Sequence, residues 1–222
     1  CLLPLDRLEQ RLEVALAEAP GALPLNDLVE HGGPVLHRLG EDLQQVALVI
    51  PVHQDAQLAE GCQVLVNLGL VPDIQGKGER EVALLANDSA RYTVRWTDLV
   101  SRSTSPWLNG ITRLSLPIAH GEGKVSMKPA TLAYIKKHGM IALQYERGEI
   151  CTYQSLPANP TGTLENIAAL TNKTGNVLAI MPHPERALFF TQLPHWTYLK
   201  EKLQREGKSI PTEGPGLQVF KN

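Results

Sequence analysis

Short apolar runs, each closed by glycine or proline, alternate along this chain between strand-like and helix-like spacing. Residues 45–52 (QVALVIPV) are apolar and β-branched over a length that suits a buried strand. Residues 90–100 (ARYTVRWTDLV), 112–118 (TRLSLPI) and 140–145 (MIALQY) read as further strands. So does the run 175–180 (GNVLAI), which follows an Asn-Lys-Thr-Gly turn. Helical spacing covers residues 5–18, where Leu5, Leu8, Leu12 and Leu16 recur, and residues 25–39, interrupted at Gly32-Gly33-Pro34. It returns over residues 60–70, over 129–137 before Gly139, and from Lys200 until a Gly/Pro-rich stretch at 211–216. Interleaved strands and helices predict an α/β fold with one main sheet.

Charge and length narrow the class. The 222 residues carry Lys+Arg 21 against Asp+Glu 23, a formal charge of −2. A balance this even does not suit a nucleic-acid binder, which needs a basic excess. No apolar run approaches the roughly 18 residues that cross a bilayer, so no membrane contact is expected. The start, Cys1-Leu2-Leu3-Pro4-Leu5, has no basic lead-in and does not read as a signal peptide. Three widely spaced cysteines, Cys1, Cys62 and Cys151, do not make a disulfide framework. They suggest a reducing, cytoplasmic setting.

The sharpest chemical signal is Met181-Pro182-His183-Pro184-Glu185-Arg186, directly after the last strand. In open α/β sheets reactive groups collect where strands end. A histidine there can take and return protons, and a carboxylate can fix its tautomer through the other ring N–H. On a straight strand, residues two apart lie about 6–7 Å from each other. A turn between the two prolines is therefore required to bring Glu185 round to His183. The same residues also suit a proline-rich surface turn with a solvated histidine. Ile118-Ala119-His120-Gly121-Glu122-Gly123 is the second signal, with small residues that admit close backbone approach. A tight turn with incidental charges reads equally well there. No HExxH spacing is present, so no metal is expected. Gly207-Lys208-Ser209 has Lys202 where a P-loop requires glycine, and no G-x-G-x-x-G follows a strand.

Taken in order, GCQVLVNLGLVPD (61–73), NDSARY (87–92), LPIAHGEGK (116–124), PANPTGT (157–163), NIA (166–168) and GNVLAIMPHPERA (175–187) resemble the class I, triad-type glutamine amidotransferases. Within that family they are most similar to the amidotransferase subunits of phosphoribosylformylglycinamidine synthase. The resemblance implies a class I amidotransferase-like sandwich with a mostly parallel central sheet. It divides the chain into an atypical helical segment with one strand (1–60) and an amidotransferase-like region (61–222). It implies a glutaminase supplying ammonia for purine biosynthesis, with no cofactor in this chain. The implied partners are glutamine, the ATP-dependent synthetase subunit and its small accessory subunit. His183 and Glu185 take the base and acid roles. His120, Gly121, Glu122, Gly123, Asn159 and Gly162 line the site or face the synthetase.

The chain departs from the family at its nucleophile. The family's elbow reads G-x-C-x-G and precedes a Gln-led helix. Set against Gly61-Cys62-Gln63, its sulfur position falls on Ala59, its next residue on Glu60 and its first glycine on Gln57. Cys62 sits after the elbow in an apolar helical pattern and is a weak substitute. Cys1 and Cys151 lack the setting of a reactive thiol. The Gly-rich loop expected before the elbow is missing too. Two alternatives remain open: a non-catalytic docking or regulatory subunit that keeps the amidotransferase shell, and an unrelated cysteine hydrolase on a similar fold.

Overall fold

The computed structural model describes the backbone of Val35–Arg38 and Val46–Val49, and residues 61–222 throughout. Val35–Arg38 (β1) pairs antiparallel with Val46–Val49 (β2). The strand expected over 45–52 is therefore present as β2. Part of the expected helix 25–39 is instead β1, where Val35 and Leu36 follow the helix-breaking Pro34. The helix expected over 5–18 lies outside the described residues.

Gly61–Asn67 (α1) buries Cys62, Leu65 and Val66, one face of a helix. It ends at Gly69, with φ +65°, where a side chain would strike the carbonyl of Gly78. Val82–Leu85 (β3) follows, then Thr93–Ser101 (β4), Arg113–His120 (β5) and Lys124–Met127 (β6). Pro129–Lys137 (α2), with proline in its first turn, leads to Ile141–Tyr145 (β7) and Glu149–Gln154 (α3). Ile167–Thr171 (β8), Leu178–Ile180 (β9), Trp196–Arg205 (α4) and Leu217–Lys221 (α5) complete the chain.

Five strands form the main sheet in the order β5-β4-β7-β8-β9, and β3 pairs with β6 in a separate ribbon. Every neighbouring pair in the main sheet is antiparallel. The α/β class holds, but the mostly parallel sheet does not describe these residues. The cause lies in the connections. A parallel neighbour requires a crossover of a dozen or more residues. Only residues 172–177 join β8 to β9, around the Asn-Lys-Thr-Gly turn, and a loop with one 3-10 turn (Pro106–Leu108) joins β4 to β5. α3 does fall between β7 and β8, yet those strands pair in opposite directions.

The sheet is covered on both faces, and β8 is buried at all five positions. One core joins Leu65 and Val66 of α1 to Ile135, Ile167, Leu170 and Ala179. The other joins Leu114, Leu116 and Ile118 of β5 to Trp107, Leu143, Leu178 and Val219. Adjacent residues Leu178 and Ala179 thus serve opposite faces, as strand geometry dictates. Asp98 of β4, 7% exposed, accepts from Ser115 Oγ at 2.9 Å and from the backbone N–H of Cys151 at 2.8 Å. It supplies the cap that Gly148 cannot, and Gly148 leaves room for it. Among the described residues no helix is long and apolar enough to cross a membrane. Replacing Asp98 with alanine strands the Cys151 N–H and the Ser115 hydroxyl. Denaturant unfolding should show a loss of about 2 kcal/mol, against less than half that for an exposed control such as Lys137→Ala.

Candidate functional site

β9 delivers the chain to the site. The N–H of Met181 still donates to Ala168 of β8, and that of His183 donates across to the carbonyl of Pro117 at 2.8 Å. Pro117 is tolerated there because β5 is a sheet edge. The chain then closes into a 3-10 turn, Pro184–Arg186. Pro184 fixes its own φ at the start of that turn. The turn brings Oε1 of Glu185 to 2.6 Å from Nδ1 of His183. A carboxylate only accepts, so Nδ1 carries a proton in this contact, and in the neutral ring Nε2 presents its lone pair. Nε2 is buried and has no partner among the described residues. His183 is 8% exposed, Glu185 is half-buried and Arg186 is exposed.

Three loops meet beside this turn. Asn87 is their centre. Its Nδ2 donates to the carbonyls of His120 (2.8 Å) and Arg91 (2.9 Å), and its Oδ1 accepts from Gly123 N (2.9 Å). Its own N–H donates to Gly121. Thr161 Oγ1 donates to the Gly123 carbonyl, and Thr163 Oγ1 accepts from Val125 N. Asn159 Oδ1 collects the N–H groups of Thr161, Gly162 and Thr163. Gly162 has φ +77° and packs on the Asp88 carboxylate, which pairs with Lys124 at 2.6 Å. Of the expected residues, His120 and Gly123 are buried, Gly121, Asn159 and Gly162 are half-buried, and Glu122 is exposed.

His120 is 1% exposed, and neither ring nitrogen has a partner among the described residues. Gly123 is a glycine because a Cβ there would lie 2.0 Å from the His120 ring. Burial, and then the neighbouring His183, push the His120 pKa down from 6.5 to about 4. The imidazole is therefore neutral near neutral pH.

Ala59 lies outside the described residues, as do Gln57, Glu60 and Cys1. Cys62 is buried in the core on α1, the helix that packs on β9. Cys151 is buried under β4. Among the described residues, no three His, Cys, Asp or Glu are grouped to hold a metal ion.

A family model described as the CobB/CobQ-like glutamine amidotransferase domain matches residues 58–222. The chain belongs to this family. It is 34% identical over 167 residues to the phosphoribosylformylglycinamidine synthase subunit PurQ of Dehalococcoides mccartyi, covering 74% of this chain and 60% of that protein. It is 37% identical over 170 residues to the PurQ of Methanococcus maripaludis strain C5 (74% and 63%). It is 33% identical over 177 residues to that of Picrophilus torridus (78% and 69%). The chain thus spans about 60% of the length of the first two relatives.

Every loop of the polar cluster lies inside the matched amidotransferase domain. Asn87 and Thr163 carry several of the cluster's bonds, yet sequence reasoning gave them no role. Their only sequence signal is that each polar side chain sits among small residues in a motif stretch. The buried His120 also makes a testable prediction. A histidine with a depressed folded-state pKa leaves the unfolded chain binding more protons between the two values. Stability from its neutrality is complete above pH 6.5 and falls as pH drops toward 4, by about 3 kcal/mol. Thermal melts across that window should show a shallower acid limb for His120→Leu than for the wild type.

Proposed function

We propose that this chain is a glutaminase subunit. In this reading it releases ammonia from glutamine for an ATP-dependent synthetase partner, as part of phosphoribosylformylglycinamidine synthase in the cytoplasm. The observation that carries the reading is the His183–Glu185 contact at 2.6 Å, with Nε2 of His183 buried and without a hydrogen-bond partner among the described residues. The names borne by the relatives support the same reading. The chemistry is acyl transfer. A thiol gives its proton to Nε2 of His183, and the resulting thiolate attacks the side-chain carbonyl of glutamine. Nε2 returns that proton to the leaving nitrogen as the C–N bond breaks. Water, deprotonated at Nε2, then resolves the thioester to glutamate. Glu185 holds the ring and stabilises the imidazolium. No step in this sequence calls for a cofactor. Exposed Glu122 and the 159–162 turn would face the synthetase and its small accessory subunit, whereas buried His120 belongs to the site wall. Residues 61–222 would form the amidotransferase unit, with 1–60 as an atypical leading segment.

The sulfur is the altered part, since its aligned position is Ala59. The burial of Cys62 within the core favours a second reading, a docking or regulatory subunit that binds the synthetase without hydrolysing glutamine. Glutamate release measured with the synthetase present separates the two. Ala59→Cys should raise the rate well above that of the unaltered chain. In that background His183→Ala should lower it by about 10²–10⁴-fold. Stable association with the synthetase and no glutamate release from Ala59→Cys would establish the docking reading. Unchanged turnover in a chain stripped of every thiol would overturn the triad chemistry.

A further inference from the structure

The motif stretches read in the sequence end at Ala187, but the matched domain runs on to residue 222, and residues 212–222, a Gly/Pro-rich stretch followed by α5, are threaded against the turn that carries His183 and Glu185. The N–H of Phe190 donates to Thr212 at 3.0 Å, that of Gly214 to Leu188 at 2.8 Å and that of Gly216 to Ala187 at 2.8 Å. Phe189 and Glu213 form an antiparallel bridge. α5 packs on the 184–186 turn, and its Val219, 4% exposed, enters the core beside Ala187 and Trp107. Nδ2 of Asn222 ties the end of α5 to the carbonyls of Trp107 (3.2 Å) and Asn109 (2.8 Å).

Gly216 shows what this contact is for. Its φ of −71° and ψ of −27° suit any residue, so backbone freedom does not explain a glycine there. Space does. A Cβ at Gly216 would lie 2.0 Å from the carbonyl oxygen of Pro184, and one at Gly214 would lie 2.4 Å from that of Ala187. The Pro184 carbonyl belongs to the peptide that leads into Glu185. Pushing it turns that peptide and moves the carboxylate. A contact at about 3.6 Å is no longer a hydrogen bond, so a displacement of about one ångström undoes the 2.6 Å contact.

We propose that segment 212–222 is the device that positions Glu185 on Nδ1 of His183, with Gly216 as the positioning residue. The proposal relies on the glutaminase reading only for what the pair is used for. The segment acts through the turn, and none of residues 212–222 touches substrate in this account.

Long-range ¹H–¹⁵N correlation of the histidine rings tests it in the 222-residue chain. In the wild type, His183 should be held as the Nδ1–H tautomer, and Glu185→Ala should release it toward Nε2–H. Gly216→Ala should move His183 the same way. Val219→Ala, which loosens α5 without entering the turn, should give a smaller shift. Lys137→Ala, at an exposed position of α2, should leave His183 unchanged. A wild-type His183 without a dominant Nδ1–H form, or an unchanged ring in Gly216→Ala, overturns the proposal. If Gly216→Ala does not fold, an unchanged ring in Val219→Ala does so instead. Glutamine hydrolysis is measured separately. Its absence removes the glutaminase reading and leaves the hold on Glu185 standing.

Discussion

The contact between Nδ1 of His183 and Oε1 of Glu185 joins residues only two apart, and nothing in an extended chain would bring them together. It exists because the chain leaves β9, anchors the His183 N–H on the edge strand at Pro117, and folds at once into a 3-10 turn. Each anchor is a feature of the sheet. β9 is held by β8, which is buried on both faces between the two cores. Pro117 sits in a β5 strand whose even positions fill one of those cores. The geometry of this pair is thus a consequence of the packing around β5, β8 and β9.

A second constraint surrounds the turn. The loops at 87–91, 119–123 and 157–163 are far apart in sequence, and polar side chains pin them to one another. Asn87 and Asn159 replace backbone partners that no strand could provide at these positions. Among the described residues, the buried imidazole of His120 has no partner for either ring nitrogen. An orphaned buried donor costs about 1–3 kcal/mol, so the network accepts a stability loss to keep a neutral ring close to His183.

The sequence carries these features unevenly. α2 and strands β2, β4, β5, β7 and β9 follow from local period and from Gly/Pro punctuation, because each is bounded by residues that cannot extend it. The direction of the strands does not follow from local pattern. The run 175–180 reads the same whether its neighbour is parallel or antiparallel, and only the short 172–177 link distinguishes the two. The His–Glu pair is legible because two prolines flank His183 and force a turn. The role of Asn87 is not, since its bonds to His120, Gly121 and Gly123 are set by tertiary contacts. The depressed pKa of His120 is equally hidden, for burial is a property of the assembled core.

The central claim is that His183 and Glu185 face a position at which a sulfur can attack glutamine. Mass-spectrometric mapping of the adduct formed with a glutamine-like electrophile tests it most directly, using Ala59→Cys with and without His183→Ala. The account predicts one adduct on the introduced thiol, formed rapidly when His183 is present and slowly when it is absent. Labelling of that thiol at the same rate in both proteins, or no labelling at all, would contradict it.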